Sequence, residues 1–163
     1  MLRIRRARLE DLSPITEIYN DAIIKTVATF DTKPKSSEEQ KEWFEQHGER
    51  HPILVAEIDN KVVGWASLSA WSDRCAYSET AEISLYIEEG HRGKGIGKKL
   101  TETILREGKA AGLHTIIARV TEGNEKNIHI LKTYGFFHIG IMKEVGRKFG
   151  KLLDVYLLQK ILE

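Results

Sequence analysis

Leu2 and Ile4 alternate with Arg3 and Arg5, the two-residue period of a half-buried strand. The period then lengthens. Ile15, Ile18, Tyr19, Ala22 and Ile23 fall on one helical stripe, and Ser13-Pro14 offers an N-cap followed by a first-turn proline. Residues 26–34 keep neither period and read as a loop. Ser37 and Gln40 then stand at capping-box spacing ahead of Trp43 and Phe44, predicting a second helix that ends before Pro52. Residues 53–58 and 62–68 are β-rich runs separated by Asp59-Asn60-Lys61, turn chemistry for an antiparallel hairpin. After a polar connection over 72–79, residues 81–87 alternate again. Ala81, Ile83, Leu85 and Ile87 point one way, while Glu82, Ser84 and Tyr86 point the other, which puts a carboxylate mid-strand.

Beyond this strand a glycine-rich loop leads into a helix marked by Ile96, Leu100 and Ile104 and closed by Gly112, followed by a strand over 115–120. Asn124 is placed to cap a short helix that runs to Tyr134 and stops at Gly135. Residues 136–143 and 152–162 read as two final strands. The order of strand, two helices, three strands, helix, strand, helix and two strands predicts an α/β or α+β fold, a mixed sheet with helices on both faces.

Composition narrows the class of protein. At 163 residues and 41% hydrophobic content, the chain carries one core and is expected to be a single domain over 1–163. A formal net charge of +1 gives no global field for nucleic acid or an anionic membrane, so a small-molecule partner is expected. The single cysteine, Cys75, has no disulfide partner, and no apolar leader or membrane-length run is present; a soluble cytoplasmic protein is expected. His91, His114 and His138 have no ligand spacing, and no metal site is expected.

The loop Gly90-His91-Arg92-Gly93-Lys94-Gly95-Ile96-Gly97-Lys98 joins a strand to a helix start, where glycines let backbone amides approach an anion. Its spacing departs from the Walker pattern, since Arg92 replaces the first glycine and Lys99 follows Gly97-Lys98 where Ser or Thr is required. It departs from the dinucleotide fingerprint as well, because the three glycines are spaced by two and several strands precede them.

What the loop does match is Arg-x-x-Gly-x-Gly, and with it the chain resembles the GNAT superfamily of acyl-CoA-dependent N-acetyltransferases over nearly its whole length. The resemblance implies a mixed, mostly antiparallel seven-stranded sheet and acetyl-CoA as cosubstrate. It would place the pyrophosphate on the amides of Gly93, Lys94, Gly95, Ile96, Gly97 and Lys98, and the pantetheine arm against the backbone of Leu85, Tyr86 and Ile87. Asn124, ahead of Tyr134-Gly135-Phe136, is similar to the family's later cofactor-contact motif, a role compatible with capping.

Within the superfamily, Ile18-Tyr19-Asn20, Ala28-Thr29-Phe30-Asp31, Arg74 with Ala76-Tyr77, Thr80-Ala81-Glu82, Glu144-Val145-Gly146, Lys148-Phe149-Gly150 and Asp154 resemble the phosphinothricin and methionine sulfoximine acetyltransferases. That branch implies an amino-acid analogue as acceptor, a homodimer, and Glu82 as the base that deprotonates the acceptor, directly or through water. By pattern alone Glu82 is equally an exposed carboxylate or an ion-pair partner. An α-amino group, with a pKa of about 8, gives up its proton more readily than a lysine amine near about 10. Ser72, Asp73 and Arg74 occupy the branch's substrate-contact stretch, where Arg74 would hold the acceptor carboxylate; the alternative is a solvated loop arginine. Phe30 and Trp71 are candidates for the acceptor's apolar part or for the core.

One position departs from the branch. Counting from Gly135-Phe136, Leu131 stands where the branch usually carries histidine, and leucine cannot relay a proton. Two other functions stay open: an acetyltransferase for a peptide N-terminus, lysine or polyamine, and a noncatalytic acyl-CoA-binding module.

Overall fold

The computed structural model describes residues 1–163. Seven strands make one sheet: β1 Leu2–Arg6, β2 Ile53–Ile58, β3 Lys61–Ala70, β4 Thr80–Ile87, β5 Thr115–Thr121, β6 Phe137–Lys148 and β7 Lys151–Ile161. Their order is β1-β2-β3-β4-β5-β7-β6, and every pair is antiparallel except β4 with β5. Four helices cover it: α1 Leu12–Lys25, α2 Ser37–Glu45, α3 Ile96–Ala110 and α4 Glu125–Thr133. The mixed fold expected from the order of elements is the one observed.

The alternation along β4 decides which core each residue joins. Ala81, Ile83, Leu85 and Ile87 pack with α3 and α4 in the larger core, around the fully buried Leu68, Leu100, Ile104, Ile116 and Leu158. On the opposite face α1 and α2 supply Ile15, Ile18, Trp43 and Phe44 to a second core around Val55 and Trp65. Tyr86, on the side read as polar, is part of that second core. Helix α3 lies so close to β3 that a Cβ on Gly108 would sit 2.6 Å from Leu68 Cδ1. Truncating the fully buried Leu100 to alanine would cost about 2–5 kcal/mol through lost burial and the cavity left behind.

Several boundaries differ from the sequence expectations for identifiable reasons. Helix α1 begins at Leu12, so Ser13 lies inside it. The entry is fixed by the buried Asp11, whose Oδ2 accepts from the backbone N–H of Arg8 at 2.7 Å and from Arg5 at 2.8 Å. The capping box of α2 is Ser36 with Glu39, one residue earlier than Ser37 with Gln40, because Gln40 is buried and Glu39 is free to reach back. The first hairpin turns on Asp59 and Asn60, at φ +51° and +66°, and Lys61 already belongs to β3. Strand β6 runs five residues past the expected Lys143 because a register shift between Met142 and Gly146, with Glu144 at φ +48°, hides the two-residue period. Phe149-Gly150 then makes the β6–β7 turn.

The parallel pair β4–β5 positions the site. It holds only at Thr80↔Thr115, Ala81↔Ile116 and Glu82↔Ile117. Beyond that point β4 stays paired with β3 as far as Ile87↔Gly64, and β5 with β7 as far as Thr121↔Val155. Each strand keeps its outer neighbour, so the sheet opens between them without losing order on either side, and the β4 edge from Ser84 onward faces the gap.

Candidate active site

A cleft of about 430 Å³ occupies this opening. Its walls come from β4 (Glu82 to Tyr86), β5 (Arg119, Thr121), the start of α4, the 26–34 loop and the β6–β7 hairpin. Tyr19, Asp31, Ser84 and Tyr86 separate it from a second hollow of about 320 Å³, backed by Trp43 and Trp65.

The glycine loop has the form an anion requires. Gly93 and Gly95 take φ of +76° and +83°, left-handed values that favour glycine, and a Cβ on either would meet nothing within 4 Å. Gly95 is the N-cap of α3, so the amides of Ile96, Gly97 and Lys98 lie in its first turn, where no intrahelical acceptor exists. Ile96 is buried and anchors the turn, while Lys94 and Lys98 stay exposed. Arg92 Nε donates to the carbonyl of Ile87 at 3.2 Å, tying the loop to the end of β4. A Cβ on Gly97 would lie 3.7 Å from Leu85, so the helix start and the open strand edge adjoin. A polar strand edge next to a cluster of free amides fits an extended amide-bearing arm ending in a pyrophosphate.

Glu82 projects into the cleft, where it is held by a residue that sequence reasoning missed. Arg119 donates from Nε to Oε2 at 2.6 Å and from Nη2 to Oε1 at 2.7 Å, a two-point pair. The carboxylate raises the pKa of Arg119, chiefly through these hydrogen bonds. The guanidinium carbon also lies 5.6 Å from the centre of the Trp71 ring. The available signal was a lone charge in the otherwise apolar 115–120 strand. Arg119 stands two residues past Ile117, the register partner of Glu82, and therefore on the same face.

Other expected residues fall inside and outside the cleft. Leu85, Tyr86 and Asn124 line it, as does Phe30. Asn124 precedes α4 but its side chain caps nothing; the N–H of Asn127, which a capping side chain could accept, goes to the backbone carbonyl of Asn124 at 3.1 Å. The Asn124 side chain lines the cleft, beside Asn127, which was not anticipated. Ser72, Asp73 and Arg74 are on the exposed connection before β4 and line neither hollow. Ser72 Oγ accepts from the backbone N–H of Arg74 at 3.2 Å, and the Arg74 side chain makes no hydrogen bond or ion pair. Leu131 is 2% exposed in the larger core, away from the cleft.

The 26–34 loop is braced from both sides. Burial pushes the Tyr19 phenol up, and its hydroxyl bonds Asp31 and Thr29; burial likewise pushes up the Tyr86 phenol, which donates to the carbonyl of Ala28 at 3.4 Å. From the other side the buried Lys148 donates to the carbonyl of Thr29 at 2.7 Å, and burial lowers its pKa. Phe30 rests on Gly146, where a Cβ would lie 2.1 Å from the ring. No group of three or more His, Cys, Asp and Glu side chains is arranged to hold a metal ion, and no helix is long and apolar enough to cross a membrane.

An open β4–β5 junction, a free strand edge and a glycine-led helix start suit an acyl-CoA-dependent acyltransferase, the class that comparison with known proteins supports. Residues 15–136 match the acetyltransferase (GNAT) family. The chain is 33% identical to an L-amino acid N-acyltransferase of Escherichia coli strain K12, over 97% of this chain and 92% of that one. It is 35% identical to an L-methionine sulfoximine/L-methionine sulfone acetyltransferase of Pseudomonas paraeruginosa, over 96% and 92%. A phosphinothricin acetyltransferase from Sinorhizobium meliloti, solved in complex with acetyl-CoA, superposes with a TM-score of 0.95 at 34% identity, covering 99% of this chain and 88% of that one. The chain belongs to the GNAT acetyltransferase family. It is an acetyl-CoA-dependent N-acetyltransferase, and the noncatalytic module that Leu131 suggested is set aside.

Proposed function

We propose that the protein acetylates the α-amino group of a small amino-acid analogue of the phosphinothricin or methionine sulfoximine type, with Glu82 as the base. The observation that carries this reading is the placement of Glu82 in the wall of the cleft where β4 and β5 part, beside the open edge of Leu85 to Ile87. The amides of the 93–98 loop and Asn124 would hold acetyl-CoA, which supplies an activated acetyl thioester. An ammonium nitrogen has no lone pair, so a proton must leave before it attacks. A carboxylate offers about four lone-pair sites, and the Arg119 pair uses one on each oxygen. The remaining sites can accept the ammonium protons and pass one to solvent. Phe30, Met142, Val145 and Val155 give the cleft an apolar side suited to an aliphatic side chain. The half-exposed Phe137, Ile139 and Ile141 on the outer strand β6 support a homodimer, for which light scattering would return twice the 18.6 kDa chain mass.

The test is coenzyme A release from acetyl-CoA with phosphinothricin, methionine sulfoximine, spermidine, a lysine-bearing peptide and a peptide N-terminus. The amino-acid analogues should have the highest kcat/KM, by about tenfold or more. A peptide or polyamine that outperforms both analogues would overturn the assignment.

A further inference from the structure

Arg119 leaves β5 where the sheet opens, and its pair with Glu82 uses only part of its donor set. Nε and one hydrogen of Nη2 are committed to the carboxylate. Nη1 has no partner, and the second Nη2 hydrogen is free as well. These two groups form the outer edge of the guanidinium, the second geometry through which arginine grips a carboxylate at two points. The Arg119 side chain is 52% exposed against 21% for Glu82, so this edge is on the solvent side of the pair. The Trp71 ring lies at 5.6 Å and limits how the guanidinium can turn. Arg119 is also the only lysine or arginine lining the cleft, whereas Arg74 lies outside it.

We propose that Arg119 receives the α-carboxylate of the acceptor on this outer edge while Glu82 takes the ammonium, so that the pair is a two-pole receptor for a zwitterion. The inference rests on the amino-acid reading of the same cleft. In an α-amino acid the two charged groups are attached to one carbon, and the two charged side chains are in direct contact, so the poles match at the same scale. The four groups then sum to zero charge, and neither protein charge must be abandoned when the acceptor binds. A polyamine or lysine side chain brings the positive pole only, which leaves the guanidinium edge unmatched and adds net charge to the cleft. This discrimination is supplied by a missing partner as much as by a present one.

The experiment compares L-methionine sulfone with its carboxamide as acceptors, using wild-type protein and the variants Arg119→Gln, Arg119→Lys and Arg74→Ala. Acetyl-CoA affinity is measured by calorimetry as a check on folding. The ratio of kcat/KM for the acid to that for the amide should fall about 10- to 100-fold in Arg119→Gln, as expected for losing a charge-assisted pair. It should fall less in Arg119→Lys, which keeps the charge without the two-point edge. An unchanged ratio with both acceptors equally impaired would overturn the proposal and leave Arg119 acting only through Glu82. A ratio that falls in Arg74→Ala but not in Arg119→Gln would return carboxylate recognition to the 72–74 loop. Failure of the wild-type protein to acetylate either compound would instead sink the amino-acid reading, and this inference with it.

Discussion

Leu131 is a position that counting from Gly135-Phe136 singles out and that packing places in the larger core. Its register with Gly135 suggested a vacancy in the proton chemistry, yet its side chain is buried among Leu100, Ile104 and Phe136. The leaving thiol of coenzyme A has a pKa of about 8.5 and needs little help from a protein acid near neutral pH. Leu131→His would therefore add a buried imidazole and gain no reaction partner. It should destabilise the fold by about 2–5 kcal/mol, lowering the melting temperature by roughly 5–15 °C, and should not raise kcat. Thermal unfolding together with steady-state kinetics checks both, and a gain in kcat of about 10²-fold would show that the chemistry lacks an acid. The mid-strand position of Glu82 was legible because period-two alternation isolates a carboxylate on a strand, whereas its reading as the base came from the family resemblance. Arg119 was not singled out, because pairing between strands far apart in sequence is invisible to a local period. The free Asn124 side chain was hidden for a similar reason: only the structure shows it making no cap bond and lining the cleft instead.

At the scale of elements, the two halves of the site are built by different devices. The proposed acetyl-CoA side rests on left-handed glycines at the start of α3, a local feature that the sequence displays openly. The proposed acceptor side rests on the β6–β7 hairpin meeting the 26–34 loop, through Phe30 on Gly146 and Lys148 on Thr29. That contact joins segments more than 100 residues apart, and the Met142–Gly146 register shift concealed even the length of β6. The two devices should fail separately. Gly95→Glu places bulk and negative charge where a pyrophosphate would lie and should abolish acetyl-CoA binding. Gly146→Ala forces the Phe30 ring to move, so the acceptor KM should rise several-fold while the Kd for acetyl-CoA changes little. Calorimetry for the cosubstrate and steady-state kinetics for the acceptor separate the effects. Equal changes in both quantities for Gly146→Ala would contradict the division.

At the scale of the molecule, the order of elements was sufficient for a mixed sheet with helices on both faces, because each amphipathic stripe needs a partner surface. The opening of the sheet was not readable. It is a consequence of where β4 and β5 stop pairing, and each strand taken alone continues past that point. This opening brings a free strand edge and a paired carboxylate into one cleft, with the glycine-led start of α3 adjoining that edge at Leu85, an arrangement suited to the proposed acetyl transfer to an amine. The central claim is that Glu82 takes the acceptor proton there, and the pH dependence of kcat for Glu82→Gln with L-methionine sulfone tests it most directly. Near neutral pH kcat should fall about 10²-fold or more, and it should recover in part in the alkaline range, as the α-amine of the free amino acid loses its proton unaided. A Glu82→Gln profile that overlays the wild-type curve from neutral to alkaline pH would contradict the account.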